Sequence, residues 1–235
     1  MTYKRKEVIG DCTLYLGDMQ EIDVSSCDLV LTDPPYKLTS GGGDIKMKGK
    51  FDKSNYNNKG DFVRCDINWQ DFMPIIFNSL KDDTHAYVMC NNRHIQNLLN
   101  SAQNSGFKFH NVLVWDKGNV TPNRWYMKGL EFTGFFFKGK AKPINDCGSK
   151  QLYNKKSEKM SDHPTQKPVD LMAHYIFNST NQGEVVFDPF MGSGTTLVAC
   201  AKMKRKGVGI ELDEGYFDIA CKRVEDAYKQ DDLFY

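Results

Sequence analysis

Glu184-Val185-Val186-Phe187-Asp188-Pro189-Phe190-Met191-Gly192-Ser193-Gly194-Thr195-Thr196 is a short apolar run that stops at an acid and passes into a glycine-punctuated turn. The run has the length and β-branched content of a buried strand, and Thr195 to Met203 reads as the helix after the turn. Val208-Gly209-Ile210-Glu211 is the next strand, which completes one strand, turn, helix and strand unit of an open parallel sheet. Glycines at such a turn let a ligand approach the backbone closely. Glu211, 23 residues after Asp188, ends the adjoining strand, where an acid can accept hydrogen bonds from ribose hydroxyls. A nucleoside-bearing cofactor is the inference. The spacing disfavours a dinucleotide: Leu197 stands three positions after Gly194, and Asp188 would repel a pyrophosphate. An acid beside the turn suits a cationic ligand such as a sulfonium amino acid.

The same rhythm extends outward in both directions. A helix runs from Pro168 to about Asn178, and a last one from about Tyr216 to Tyr228. Towards the N-terminus, the pattern predicts a strand at Glu7–Ile9, a helix over 13–20 and a strand at Asp28–Thr32, a βαβ unit. A helix over 70–80, a strand at His85–Cys90, a helix over 93–104 and a strand at Asn111–Trp115 follow. At 235 residues, 40% hydrophobic and 26% charged, residues 1–235 make one α/β domain. Met1 to Gly10 lacks the apolar region of a secretory signal and no stretch is long enough to span a bilayer, so a cytoplasmic protein without membrane contact is expected. The seven cysteines are odd in number and never spaced as Cys-x-x-Cys, which argues against a disulfide framework or a metal site.

Net charge is +1, yet its distribution is uneven. Residues 37–60 carry six Lys against two Asp, and residues 117–160 carry ten basic against three acidic side chains. The remaining chain holds 15 basic and 25 acidic residues. Two basic segments on an acidic body fit contact with a polyanion, because Lys and Arg that neutralise phosphates release condensed counterions. Segment 37–60, with Gly41-Gly42-Gly43, reads as a mobile loop that either orders over DNA and closes the site or is a disordered spacer. Segment 117–160 breaks the α/β pattern, with one strand near 131–138, and reads as an insertion of its own.

Asp33-Pro34-Pro35-Tyr36 ends the strand at Asp28–Thr32. Two prolines fix φ and withhold N–H donors, so the Asp33 carboxylate and Pro34 carbonyl are left as rigid acceptors at the mouth of a sheet. Acceptors there can hold an amine. Tyr36 can stack on a base. By itself, Asp-Pro-Pro is also a common turn.

Taken together and in this order, Asp33–Tyr36 before the basic segment and Phe187–Gly194 after it, the two motifs resemble the DNA amino-methyltransferases of the circularly permuted β group, over nearly the whole chain. The resemblance implies a Rossmann-like S-adenosylmethionine-dependent methyltransferase fold, a mixed sheet with helices on both faces and a small basic target-recognition insertion. It implies catalytic roles for Asp33, Pro34, Pro35 and Tyr36. It places the cofactor's amino-acid end at Phe187, Asp188, Pro189, Phe190, Gly192, Ser193, Gly194 and Thr195, its ribose at Glu211 and its adenine near Asp11. Lys167, in His163-Pro164-Thr165-Gln166-Lys167-Pro168, would approach the methionine carboxylate. Target recognition falls to 117–160, and the family setting is restriction–modification.

The mechanism so implied turns the target nucleotide out of its helix. The amine is then held in line with a sulfonium methyl, with no metal and no covalent intermediate. The lack of a Pro-Cys pair argues against C5-cytosine chemistry. Within the resembling family, Asp at the first motif position accompanies adenine N6 more often and Ser cytosine N4, so adenine is the preferred target and cytosine N4 the alternative. An RNA methyltransferase, a nicotinamide oxidoreductase and a non-catalytic DNA-binding module are the competing classes. A homodimer is compatible with the sequence.

Overall fold

The computed structural model describes residues 2–35, 67–121, 126–154 and 167–231. The order of elements is β1 (Arg5–Ile9), β2 (Cys12–Leu16), β3 (Cys27–Thr32), α1 (Trp69–Ser79), β4 (Leu80–Cys90), α2 (Ile95–Asn104) and β5 (Lys108–Thr121). Then come β6 (Lys128–Lys138), β7 (Leu152–Asn154), α3 (Val169–Ser179), β8 (Val185–Asp188), α4 (Thr195–Lys202), β9 (Lys206–Glu211) and α5 (Glu214–Asp231). Among the described residues the strands form one sheet in the order β1-β2-β9-β8-β3-β4-β6-β5-β7.

Seven of these strands run the same way, while β1 and β6 run against their neighbours. The sheet is therefore mixed, as the resemblance implies. Alternation along each strand feeds two cores. Leu29 and Leu31 of β3 face one side with Leu171 and Ile176 of α3, Leu197 of α4 and Phe217 of α5. Val30 faces the other, with Phe72 and Ile76 of α1 and Leu98 of α2. Period two in the strands and period 3.6 in the helices thus produce a three-layer arrangement.

Two expectations are corrected. Residues 13–20 are not a helix: Cys12–Leu16 is strand β2, paired antiparallel with β1 and parallel with β9. Cys12, Leu14 and Leu16 are buried while Thr13 and Tyr15 are less so, which is a strand's alternation. Gly10, at φ +55°, makes the tight turn between the two strands. The first 32 residues are therefore a hairpin followed by a distant strand, not a βαβ unit.

Segment 117–160, likewise, is not set apart from the sheet. Its β6 lies between β4 and β5, with Phe135 and Phe136 in the two cores. Because β6 runs against β4, Lys128 begins at the edge where the parallel strands end, and Lys138 finishes at the opposite edge. There the Lys138 ammonium donates to the carbonyls of Phe77 and Leu80 at the end of α1, which is helix capping. Segment 37–60 lies outside the described residues, as do 122–125 and 155–166. No helix among the described residues is long and apolar enough to cross a membrane.

Candidate active site

The chain leaves β3 for β4 on one side, whereas β8 leads to β9 on the other, so the strand order reverses beside β3. Ligands of open α/β sheets bind at such a reversal, outside the carboxyl ends of the strands. That edge gathers Asp33 after β3, Asp188 at the end of β8 and Glu211 at the end of β9. The three acids have different surroundings.

Asp188 is buried at 3% exposure and fully engaged. One oxygen accepts from the Thr32 hydroxyl at 2.7 Å and the Phe190 N–H at 3.1 Å, and the other from the Thr196 hydroxyl at 2.6 Å. It thereby ties β8 to β3 and to the first turn of α4. Burial outweighs these donors and pushes its carboxyl up to about 6. The acid read as facing a cation is a lock beneath the turn.

Above it, the turn reaches Gly192 at φ +52° and Gly194 at φ +78°. A Cβ on Gly192 would meet nothing within 4 Å, so open space stands over this peptide. One on Gly194 would come within 2.9 Å of the Ala220 Cβ on α5. Phe187, Pro189, Ser193 and Thr195 are buried supports, and Phe190 is half-buried with its ring edge-on to Phe72 at 5.1 Å. From α5, the Arg223 guanidinium donates to the Ser193 carbonyl, to the Ser193 hydroxyl at 2.9 Å and to the Thr195 hydroxyl at 3.2 Å. Nothing local in the sequence marks Arg223.

Glu211 closes the same turn. Its Oε2 accepts from the Gly192 N–H at 2.9 Å and its Oε1 from the Asp213 N–H at 2.8 Å. A carboxylate has about four acceptor sites, so lone pairs remain for hydroxyls arriving from the open side. Burial raises its carboxyl above the ordinary range.

Asp33 differs from both. Its Oδ2 is bound to the Lys167 ammonium, which is itself only 8% exposed. Its Oδ1 is buried without a hydrogen-bond partner among the described residues. Burial raises the Asp33 carboxyl, Lys167 pulls it down, and Glu131 adds to the rise. Pro34 is buried and Pro35 exposed, so the motif leaves the sheet with one free, buried acceptor. Such an atom is costly unless a donor arrives. Lys167 also meets Glu131 Oε2 at 3.2 Å, and Glu131 Oε1 meets Lys117 at 3.1 Å. Neither Glu131 nor Lys117 stands out in the sequence, because the β5–β6 register, not proximity in the chain, brings them together at this edge.

Of the residues expected at the site, Asp11 is not there. It sits in the β1–β2 turn, where its carbonyl accepts from the Gly207 N–H at the start of β9, at the amino edge of the sheet. The reason is the direction of β2: with a strand in place of a helix, Asp11 precedes rather than follows the element that reaches the site. The acid at the carboxyl end of β2 is Asp18, beside Gly17, whose N–H donates to the Glu211 carbonyl at 2.9 Å. Tyr36 and His163–Gln166 lie outside the described residues.

The family model described as DNA methylase (N6_N4_Mtase) matches residues 27–222, a span that begins with β3 and ends within α5. The chain belongs to the DNA methylase family. Type II methyltransferase M2.LlaDCHI of Lactococcus lactis subsp. cremoris is 31% identical over 240 residues, covering 88% of this chain and 85% of that one. Type II methyltransferase M2.DpnII of Streptococcus pneumoniae is 28% identical, covering 95% of this chain and 91% of that one. Among solved structures, the M1.HpyAVI–SAM complex superposes with a TM-score of 0.68 at 27% identity, over 90% of this chain and 99% of that one. The cytosine-N4-specific PvuII DNA methyltransferase shares the fold, with a TM-score of 0.71 at 16% identity over 97% of this chain and 96% of that one. The resemblance carried by the two motifs thus holds at the level of the DNA amino-methyltransferases.

Proposed function

We propose that this DNA methylase transfers a methyl group from S-adenosylmethionine to the N6 amine of an adenine turned out of its DNA helix, as the modification enzyme of a restriction–modification pair. The observation that carries the reading is Asp33 Oδ1, a buried acceptor with no partner, at a strand end beside an open glycine turn. Bound S-adenosylmethionine supplies a methyl group on a positively charged sulfur, which departs as a neutral thioether keeping the C–S electron pair. The residues present fit that cofactor. Gly192 leaves room over the turn, Glu211 keeps lone pairs for ribose hydroxyls, and Asp18 stands next along the edge, where an adenine would extend.

On the other side, Asp33 Oδ1 accepts one hydrogen of the target amine. This grip favours a nitrogen whose lone pair points away from the ring and towards the methyl group. A methylated nitrogen would carry positive charge until it lost a proton to the Asp33 carboxylate or to water, and a carboxylate beside it would stabilise that charge. Lys167 favours the ionised form of Asp33 against the burial that raises its carboxyl. Adenine is preferred over cytosine N4 on the identity of Asp33. The supporting role of DNA contact falls to the basic side chains at the carboxyl edge, Lys128 and Arg93 among them.

The test uses tritiated S-adenosylmethionine with duplexes in which adenine or cytosine is the only modifiable base. Label on the adenine duplex, abolished in Asp33→Ala while DNA and cofactor binding persist, is expected. Label on cytosine alone overturns the choice of base, and unchanged turnover in Asp33→Ala overturns the role of Asp33.

A further inference from the structure

Four charged side chains form a line across the site edge: Asp33, Lys167, Glu131 and Lys117. Lys167 is 8% exposed, Glu131 20%, and Asp33 and Lys117 27% each. The line therefore runs from the reacting end, where Asp33 Oδ1 is free, through the more buried Lys167 and Glu131 to Lys117. We propose that Glu131 is a positioning residue for methyl transfer, sharing the Lys167 ammonium with Asp33 so that the target amine faces two carboxylates balanced by a single buried cation.

Three observations carry this. First, Glu131 is a strand residue of β6 opposite Trp115, one position before Phe132, which pairs with Cys90 at the end of β4. Its backbone is paired with β5, and the next residue is paired with β4 as well, so its carboxylate is a fixed feature of the edge. Second, its two oxygens are divided, Oε2 to Lys167 and Oε1 to Lys117. Lys167 is thereby pulled from both ends and cannot swing across to take Asp33 Oδ1 as well. Third, a half-buried ion pair is a poor device for stability, since an apolar pair of equal volume serves as well or better. Its retention at a reacting edge has a functional explanation. Asp33, Lys167 and Glu131 together carry one net negative charge, and Lys117 balances it only from the far end of the line, so the acidic end of the cluster faces the amine. The target nitrogen gains positive charge as it is methylated, so that negative charge lowers the barrier selectively.

The groups that bear on the titration of this cluster are few. Asp33 is faced by Lys167, Glu131 and the Cys90 thiol, with Asp188 behind it on β8. Glu131 is faced by Lys167, Lys117 and Cys90. Burial alone would raise the Glu131 carboxyl, but the two lysines outweigh it and hold it below its ordinary value. Glu131 in turn raises Asp33.

This inference rests on Asp33 being the acceptor, and the experiment separates the two. Glu131→Gln keeps the shape and a hydrogen bond to Lys167 but removes the charge. Its kcat should fall roughly tenfold or more, within the range set by electrostatic groups at reacting atoms, while dissociation constants for DNA and S-adenosylmethionine stay within about twofold. The acid limb of kcat against pH should move to lower pH, because Asp33 loses a repelling neighbour. A residue that merely supported the fold would leave that limb in place. Lys117→Gln, at the far end, should move the limb the other way, because the cluster loses a cation and its carboxylates hold their protons to higher pH. If Glu131→Gln does not fold, Lys117→Gln alone decides. An unmoved acid limb in the folded variants, with Asp33→Ala inactive, overturns the role of Glu131 and leaves Asp33 standing; an active Asp33→Ala overturns the Asp33 reading itself.

Discussion

Asp188 should make the protein less stable as pH rises through the mildly acidic range, and Asp188→Asn should abolish that trend. The folded carboxyl sits at about 6 against an ordinary 3.8, because burial outweighs the Thr32, Thr196 and Phe190 donors. That difference corresponds to roughly 3 kcal/mol between the two protonation states. The sign follows from proton counting. Between pH 4 and 6 the folded state holds a proton on Asp188 that the unfolded chain has released, so stability falls as pH rises. The contribution is complete below about 4 and lost above about 6. Asn at 188 keeps an acceptor for Thr32 and Phe190, and the Thr196 hydroxyl can turn to accept from its amide. Urea unfolding of both proteins at intervals from pH 4 to 7.5 measures the difference. The variant should gain on the wild type by up to ~3 kcal/mol across that range. A difference that is flat, or that moves against the variant as pH rises, would show that the donors win over burial, and the lock would then be an ionised ligand site after all.

Two further contrasts use neighbouring residues with opposite expected outcomes. Gly192→Ala and Gly194→Ala share a left-handed backbone, which costs a side chain roughly 1–2 kcal/mol, but only the second brings a methyl within 2.9 Å of Ala220. Thermal melting should therefore fall more in Gly194→Ala, while calorimetry should show the larger loss of S-adenosylmethionine affinity per unit of lost stability in Gly192→Ala; equal losses on both measures would refute the division of roles. In the basic segment, Lys128→Ala should weaken DNA binding and lower the salt slope by about one, whereas Lys140→Ala and Lys142→Ala, beyond the far end of β6, should leave both unchanged.

The parts of the site that were legible in the sequence are those whose chemistry is local. Gly192-Ser193-Gly194 announces a turn, the apolar run before it a strand, and Asp33-Pro34-Pro35 a rigid strand end, because each signal is spoken by adjacent residues. Over so short a stretch the spacing of Leu16 and Met19 fits a helix, whereas Cys12, Leu14 and Leu16 alternate as a strand does. What decides for the strand is Gly10 in the turn and pairing with β9, from Cys12 opposite Gly207 to Leu16 opposite Glu211. Asp11 was misplaced by the same error. The basic run 117–160 was legible as a count but not as a patch, since a linear tally of charge is blind to strand direction. Glu131 was invisible for a similar reason: its meeting with Lys167 depends on the β4–β6 register and on where α3 begins.

Three strand ends present three acids, and the difference among them is the site's logic. A carboxylate's role follows from how many donors it already has and how much water it keeps. Asp188 has three protein donors and almost no exposure, so it holds β3, β8 and α4 together and has little to offer a ligand. Glu211 has two backbone donors and an open side, so it can brace the turn and still accept from hydroxyls. Asp33 alone combines a strong cation on one oxygen with nothing on the other. An unpaired buried oxygen costs folding energy that a second donor, such as a lysine or a hydroxyl, would remove. A donor arriving from outside the fold would satisfy it at the strand end where the chain order reverses, and on the function proposed above that donor is the amine of a base turned out of DNA.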